Sequence, residues 1–414
     1  MMRRTLLAAT LLAASMLGAG GARADADNFT EVERGKYLAI AGDCMACHIG
    51  ADGKSLSGGN LLETPFGKIS VPNITPDNET GLGRWSADDF YRAMHEGKRP
   101  DGTHLYPAFP YPDFTKISRA DNDAIFAYLQ ALPPVVNRVD RDTLPFPFNI
   151  RMLMAGWNML NFEPGEFRPD PQKSAEYNRG AFLVEGPAHC GLCHTPRNIM
   201  GGDKDSQLLQ GAALQGWFAP NLTMDKRLGL GDWSEEDLIA YLRTGRNDRA
   251  AASGPMAEVV AYSTSQMTDA DLKSIAVYLR ENGRAVSTSA ITTPLAADDA
   301  HMRTGEAIYT DTCKACHVSD GSGASRMFPR LANNRLVQQG DPTGVLRVIL
   351  QGSQSAATPL SPTAPAMPAL GWRLNDQQVA DVATYIRNAW GNAAPAVTAD
   401  QVKKMRDITQ AAPR

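Results

Sequence analysis

Every cysteine of the chain lies in one of three copies of a five-residue motif, Cys-x-x-Cys-His, at residues 44–48, 190–194 and 313–317. Two thiols at this spacing can each add to a vinyl group of a haem, and the histidine beside the second thiol then becomes the proximal ligand of the iron. The motif therefore predicts three covalently bound haem c groups. Their attachment and ligand residues are Cys44, Cys47, His48, Cys190, Cys193, His194, Cys313, Cys316 and His317.

Other sites also use a Cys-x-x-Cys pair. A thioredoxin-like dithiol belongs in a βαβ context and needs no histidine after it. A zinc site usually adds a second Cys or His pair at a fixed distance, and the seven histidines of this chain do not supply three such pairs. A structural disulfide would not need the histidine either. Haem attachment is the interpretation that uses every residue of the motif.

Methionine on the far side of a haem iron completes its coordination and raises its reduction potential relative to histidine. Met256, in the sequence Gly-Pro-Met, follows Cys190 by 66 residues. Met367 lies in a proline-flanked stretch just ahead of the last apolar-periodic segment. Both positions predict a ligand in a loop, so Met256 and Met367 are the expected sixth ligands of the second and third haems.

The first unit lacks a methionine at the corresponding place. Phe109 follows Trp85 by 24 residues, and Met256 follows Trp233 by 23, so phenylalanine replaces the expected ligand. Phenylalanine cannot bind iron. The coordination of the first haem therefore stays open at this point.

Three outcomes are compatible with the sequence around Phe109. The first iron is five-coordinate, or it binds His104 or His95, or it takes a methionine from elsewhere, such as Met94 or one of the linker methionines. Met94 aligns with a leucine of the second unit, which favours a packing role. His104 is the best substitute because it lies in the same loop as Phe109.

Haem propionates that are partly buried need cationic or hydrogen-bonding partners. Arg197 and Arg330 follow their motifs closely and are the candidates that the sequence offers. Either residue is equally compatible with a simple surface charge.

Similar helical patterns surround the three motifs. Each motif follows a helix-like stretch that contains a glycine and an aromatic residue, and each unit closes with an apolar-periodic segment. We expect the first and last helices of a unit to cross at the glycine, because the missing side chain permits close approach. The predicted pairs are 31–41 with 121–132, 175–185 with 269–281, and 301–310 with 376–389, and the glycines are Gly35, Gly180 and Gly305.

Residues 1–24 have the pattern of a secretory signal peptide. Arg3 and Arg4 precede an apolar run that is too short for the roughly 20 residues of a membrane span, and Ala-Arg-Ala ends at Ala24. Removing the three arginines of this segment, which include Arg23, changes the formal net charge from -4 to -7. The mature chain is predicted to be exported and mildly acidic, which disfavours nucleic acid as a partner.

The spacing of the motifs predicts three units joined by two linkers. The apolar centre of the first linker, 146–162, is too apolar for a solvated linker and indicates either contact with a partner or lipid, or burial within the chain. The predicted boundaries are 25–135 for unit one, 136–172 for the apolar linker, 173–283 for unit two, 284–299 for a flexible linker, 300–394 for unit three and 395–414 for a tail.

The chain resembles a known protein family along its whole mature length. The stretches that carry the resemblance are Thr-Pro-Phe-Gly at 64–67, Gly-Leu-Gly-x-Trp-Ser at 81–86 and 229–234, and His-Thr-Pro-Arg-Asn at 194–198. They are similar to the tri-haem cytochrome c subunits of bacterial membrane-associated alcohol, gluconate, sorbitol, fructose and aldehyde dehydrogenases. The resemblance implies a mostly α fold of three tandem class I cytochrome c-like domains. Tyr-Pro-Ala-Phe-Pro-Tyr at 106–111 resembles the form found with molybdenum-type aldehyde dehydrogenases.

The resemblance also implies a function. A cytochrome of this kind accepts electrons from a large quinoprotein, flavoprotein or molybdenum-type dehydrogenase subunit, with a small third subunit as an optional partner, and passes them to ubiquinone or a terminal oxidase. The expected location is the periplasm, peripheral on the outer face of the cytoplasmic membrane. We expect an electron-transfer subunit rather than the substrate-oxidising one. The alternatives are a haem enzyme with an open first haem and a free periplasmic electron shuttle.

Overall fold

The computed structural model describes residues 19–50, 53–140, 143–214, 216–282 and 293–411. This part of the chain is mainly helical, as predicted, and its β-structure consists of two-stranded antiparallel pairs. Most of the predicted signal peptide and of the linker at 284–299 lies outside the described residues.

Unit one begins with a long helix that ends just before the first motif. Ser86 and Ser118 cap the two later long helices by accepting hydrogen bonds from backbone amides of their first turns. The elements are α1 (Ala19–Ala41), α2 (Cys44–His48), β1 (Leu61–Thr64), β2 (Gly67–Ser70), α3 (Ala87–Glu96), α4 (Tyr111–Phe114) and α5 (Arg119–Gln130), followed in the apolar linker by α6 (Leu153–Asn161).

Unit two repeats this order of elements. Its capping serine, Ser234, forms a reciprocal capping box with Asp237, as Ser86 does with Asp89 in unit one. The elements are α7 (Ala175–Glu185), α8 (Cys190–His194), a 3₁₀ turn (Asp205–Gln207), β3 (Ala212–Leu214), β4 (Trp217–Ala219), α9 (Glu235–Thr244), α10 (Pro255–Tyr262), a second 3₁₀ turn (Thr264–Gln266) and α11 (Asp269–Glu281).

Unit three is shorter between its motif and its last helix, and a terminal helix packs against it. The last helix of the unit is nearly all buried, from Val379 to Asn388. The elements are α12 (Ala300–Thr312), α13 (Lys314–His317), α14 (Thr343–Gln351), β5 (Ser353–Gln354), β6 (Ala366–Met367), α15 (Asp376–Asn388) and α16 (Ala399–Ala411).

The first and last helices of each unit cross at a glycine, which confirms the prediction made for Gly35, Gly180 and Gly305. A Cβ atom at Gly35 would lie 1.8 Å from the carbonyl oxygen of Ala124. At Gly180 it would lie 1.9 Å from the carbonyl oxygen of Ser274. No side chain fits at such distances, so α1 with α5, α7 with α11 and α12 with α15 approach more closely than any other residue would permit.

An ion pair lies beside each of these crossings. In every unit a carboxylate of the last helix accepts from a basic side chain of the first helix, and in unit three the contact is ionic when His301 is protonated. The pairs are Arg34–Asp121 at 2.6 Å, Arg179–Asp271 at 2.8 Å and His301–Asp381 at 2.7 Å. The three units therefore share a second feature at the crossing that the sequence pattern did not reveal.

The apolar linker exposes one side of α6 rather than burying it. Met152 and Met159 are 77% and 83% exposed, whereas Trp157 on the opposite side is buried and donates to the carbonyl oxygen of Met200. Ile199, beside this bond, is 99% exposed. The sequence left open whether this segment is buried within the chain or contacts a partner or lipid. Burial within the chain holds only for the side of α6 that carries Trp157. Within the described ranges, none of the helices has the length and apolar character that a bilayer span requires.

Candidate functional site

The three Cys-x-x-Cys-His motifs form the one-turn helices α2, α8 and α13. In the first two, the residue before the motif has a left-handed backbone, with φ of 50° at Asp43 and 35° at His189. This turn ends the preceding helix and starts a new one at the first cysteine. Residues three and four apart on a helix share a face, so the two thiols and the histidine project to the same side.

Each motif histidine is oriented by a proline carbonyl. The Nδ1–H group donates to that carbonyl oxygen and leaves Nε2 as the atom that can bind a metal. The bonds are His48 to Pro72 at 2.7 Å, His194 to Pro220 at 2.6 Å and His317 to Pro329 at 3.0 Å. Burial lowers the pKa of His48 and of His194 to about 4 and also lowers the pKa of His317. All three rings are thus neutral at pH 7, as a metal ligand must be.

The six cysteines form no disulfide, and the surroundings of five of them oppose ionisation. Burial raises the pKa of Cys44 and of Cys190 to about 12. A zinc site would require thiolates, which such surroundings disfavour. In the described part of the chain, moreover, no three His, Cys, Asp or Glu side chains converge on a metal-sized site. Two unpaired thiols and one oriented neutral imidazole per motif fit a covalent haem instead.

The distal loop of unit two begins at Gly245, the left-handed residue that ends α9. The backbone amide of Ala252 donates to the carbonyl oxygen of Gly245 at 2.7 Å and closes the loop. Met256 follows four residues later, partly buried against Ala252 and Val260. Met256 lies on the first turn of α10 and not in an irregular loop, because Pro255 occupies the first helical position and starts the helix.

Unit one closes its distal loop with the same bond. Leu105 donates to the carbonyl oxygen of Gly97 at 2.7 Å, and Phe109 follows four residues after Leu105. Phe109 therefore occupies the structural position of Met256. Its ring packs edge-on against Phe114, with centroids 5.4 Å apart.

The substitute ligands considered for unit one have other contacts. His104 forms a backbone bridge with Lys98, and its Nδ1 lies 3.5 Å from the side-chain nitrogen of Asn158 on α6. His95 stacks on Tyr91. Met94 is buried in the core of unit one, as its alignment with a leucine indicated.

Met367 lies in β6 of unit three, paired with Ser353. It is partly buried and packs against the core of that unit. The preceding helix α14 ends at Gly352, which has a positive φ of 75° like Gly97 and Gly245. The segments that carry Phe109, Met256 and Met367 thus each begin at a glycine with a positive φ.

Of the two arginines singled out for propionates, Arg197 is engaged elsewhere, whereas Arg330 makes one hydrogen bond among the described residues. Arg197 forms an ion pair with Asp203 and donates to the carbonyl oxygen of Leu192 at 2.6 Å. Arg330 donates to the carbonyl oxygen of Ala332. A cation that sequence reasoning missed is Arg335, which belongs to unit three but contacts unit two at Asn221 and Trp233. No local pattern could have found it, because its partners are more than 100 residues away.

Units one and two contact each other through the elements that carry their motifs. His189, just before the second motif, lies with its Nε2 3.3 Å from the carbonyl oxygen of Gly42, just before the first. Helix α10, with Met256, also contacts α2, with His48. The first motif therefore adjoins both the second motif and the helix that carries Met256.

The comparisons with known proteins place these sites in a family context. The model of the cytochrome c family matches residues 32–133 and 302–390. The gluconate 2-dehydrogenase cytochrome c subunit of Pantoea cypripedii is 41% identical over 92% of this chain and 91% of its own length. The alcohol dehydrogenase (quinone), cytochrome c subunit, of Gluconobacter oxydans is 38% identical over 97% and 87%. The fructose dehydrogenase cytochrome subunit of Gluconobacter japonicus is 36% identical over 91% of this chain and 82% of its own length.

Proposed function

Since the chain belongs to the family of dehydrogenase cytochrome c subunits, with cytochrome c-like domains and an electron-transfer function, we propose that it relays electrons from a partner dehydrogenase to membrane ubiquinone or the respiratory chain. The observation that carries the proposal is the threefold repetition of two thiols and one oriented, neutral histidine on a single helical turn. Repetition suits a relay, because each unit then needs only to accept and release one electron.

The proposal assigns a task to each predicted site residue. Haem c, when bound, supplies reversible one-electron chemistry at its iron. The chain would hold three such groups, through Cys44 and Cys47, Cys190 and Cys193, and Cys313 and Cys316. His48, His194 and His317 would bind the irons through Nε2, and Met256 and Met367 would be the sixth ligands in units two and three.

The contact between α2 and α10 supports a relay rather than three independent sites. Electron transfer between cofactors needs short separations, and the carrier elements of the first two units touch directly. Ser355 of unit three donates to the carbonyl oxygen of Ala252 in the distal loop of unit two. The segment of unit two that carries Met256 therefore adjoins both other units, which supports a central place for its haem in the proposed relay.

We also propose that the mature chain is periplasmic and lies on the outer face of the cytoplasmic membrane. The signal-peptide pattern of residues 1–24 supports export, and haem attachment to thiols takes place in that compartment in bacteria. The partner would be a large dehydrogenase subunit of quinoprotein, flavoprotein or molybdenum type.

Purification of the native complex tests the function. We expect a tagged chain to copurify with a large dehydrogenase subunit, to contain three haems per chain, and to become reduced when the substrate of that dehydrogenase is added. A strictly monomeric native protein whose haems are not reduced in this way would contradict the relay. Double variants in which both cysteines of one motif are replaced by alanine should each contain two haems, which tests the haem number separately.

A further inference from the structure

Arg335 of unit three contacts the haem-binding elements of unit two. Its guanidinium Nη1 donates to the carbonyl oxygen of Asn221 at 3.4 Å, and its Cζ lies 4.4 Å from the ring centroid of Trp233. Asn221 directly follows Pro220, the residue whose carbonyl oxygen orients His194. The positive charge of Arg335 is therefore fixed beside the proximal side of the second site.

The charge of Arg335 has no anionic partner among the described residues. No carboxylate of that part of the chain lies within 4.0 Å of it, and the bond to Asn221 is the hydrogen bond that its five donors make there. Asp232, whose charge acts on Arg335 from farther away, is paired with Arg249.

Arg387 shows what a structural arginine looks like in this chain. It is fully buried, and carbonyl oxygens of Pro395, Val337 and Gln339 accept from it. Arg335 lacks such a set of acceptors within the described residues, so most of its donors remain available to a ligand.

The surroundings of Arg335 are unfavourable for an isolated cation. Burial lowers its pKa. Burial also lowers the pKa of His194, and the charge of Arg335 lowers it further. Burial raises the pKa of Tyr241, and the charge of Arg335 opposes that rise. A partly buried guanidinium with unused donors calls for an anion, and a guanidinium binds carboxylates through two parallel hydrogen bonds.

We propose that Arg335 of unit three binds a propionate carboxylate of the second haem and thereby raises the reduction potential of that haem. The proposal rests on the proposed function, since it requires a haem at the second motif. Arg335 acts as a positioning and potential-setting residue and not as an iron ligand. A nearby cation stabilises the reduced form of the haem, because that form has one positive charge fewer than the oxidised form. The packing of unit three against unit two therefore raises the reduction potential of the second haem.

Replacement of Arg335 tests this in the complete haem-loaded protein by redox titration followed at the haem absorption bands. In Arg335→Gln we expect one of the three midpoint potentials to fall while the other two stay unchanged. The affected haem is identified with Met256→His, which alters the potential of the second haem through its sixth ligand.

Arg326→Gln is the matched control, because it removes a cation of unit three whose side chain is 70% exposed and pairs with the carboxylate of Asp248. All three potentials should be unchanged in it. If Arg335→Gln does not fold, the same redox titration is carried out on Arg335→Lys. A lysine keeps the charge but cannot form two parallel bonds to a carboxylate, so the same potential should fall by a smaller amount.

Unchanged potentials in the folded Arg335 variant would overturn the proposal, and so would a shift confined to the haem that Met367→His alters. A protein with fewer than three haems, or one in which Met256→His leaves every potential unchanged, would instead contradict the proposed function. The two failures are therefore distinguishable.

Discussion

Tyr37 donates a hydrogen bond of 2.6 Å from its hydroxyl to the carboxylate of Asp271, which also accepts two bonds of 2.8 Å from Arg179. Tyr37 lies on the first helix of unit one, whereas Asp271 and Arg179 lie on the last and first helices of unit two. Asp271 therefore links the first and last helices of unit two and also binds unit one to unit two.

Tyr37→Phe should weaken this attachment. The substitution removes the bond to the charged Asp271 and the bond that the hydroxyl accepts from the backbone amide of Thr268. Loss of the bond to the charged group alone lowers the free energy of unfolding by about 1–2 kcal/mol at pH 7. Chemical unfolding monitored by circular dichroism measures the change. Tyr262→Phe is the control, because the described contacts give the Tyr262 hydroxyl no hydrogen bond to lose, and its stability should equal that of the wild type.

The contribution of Asp271 should also depend on pH in a defined direction. Burial alone raises its pKa, but the bonds from Arg179 and Tyr37 outweigh burial and hold the pKa below the usual 3.8. A carboxylate whose pKa is lowered by folding stabilises the folded state above its unfolded pKa and loses that effect as pH falls through the folded value. The stability difference between wild type and Tyr37→Phe should therefore be constant from pH 5 to 7 and shrink below about pH 4. A difference that grew on acidification would contradict this assignment.

Gly180→Ala should destabilise unit two strongly. The added Cβ would lie 1.9 Å from the carbonyl oxygen of Ser274, so α7 and α11 would have to separate. Overpacking of this kind lowers the free energy of unfolding by about 1–3 kcal/mol or more. Gly156→Ala on α6 is the matched control, because nothing lies within 4 Å of its added Cβ. Alanine there should stabilise by about 0.5–1 kcal/mol, since it favours a helix over glycine. Equal effects of the two substitutions would refute the role of the crossing.

Met256→Ala should convert one haem from low spin to high spin and lower its potential, because the substitution removes the proposed sixth ligand. Absorption and electron paramagnetic resonance spectra report the spin state. Met267→Ala separates ligand loss from packing loss, since Met267 is 1% exposed in the core of unit two. We expect the control to lose about 2–5 kcal/mol of stability with all spin states unchanged. A high-spin haem in both variants would show that packing alone is responsible.

The features predicted from sequence are those that short spacings determine. The motif requires its cysteines and histidine within five residues, and the crossing glycines follow from helical periodicity around Gly35, Gly180 and Gly305. The unpredicted features join distant positions. Tyr37 and Asp271 are 234 residues apart, and Arg335 is 114 residues from Asn221. Neither contact leaves a pattern in the sequence, because each depends on how whole units pack together.

Phe109→Met should give the first haem a sixth ligand. Phe109 occupies the position of Met256 in a loop closed by the same 2.7 Å bond, and methionine is close enough in size to be accommodated beside Phe114. We expect the wild type to contain one high-spin haem that binds carbon monoxide rapidly, and the variant to lose both properties. His104→Ala should leave the spin state unchanged, because His104 lies opposite Lys98, five residues before the ligand position, in a place that corresponds to Ala251 of unit two. A wild-type protein with three low-spin haems, one of which becomes high spin in His104→Ala, would instead identify His104 as the ligand and contradict this prediction.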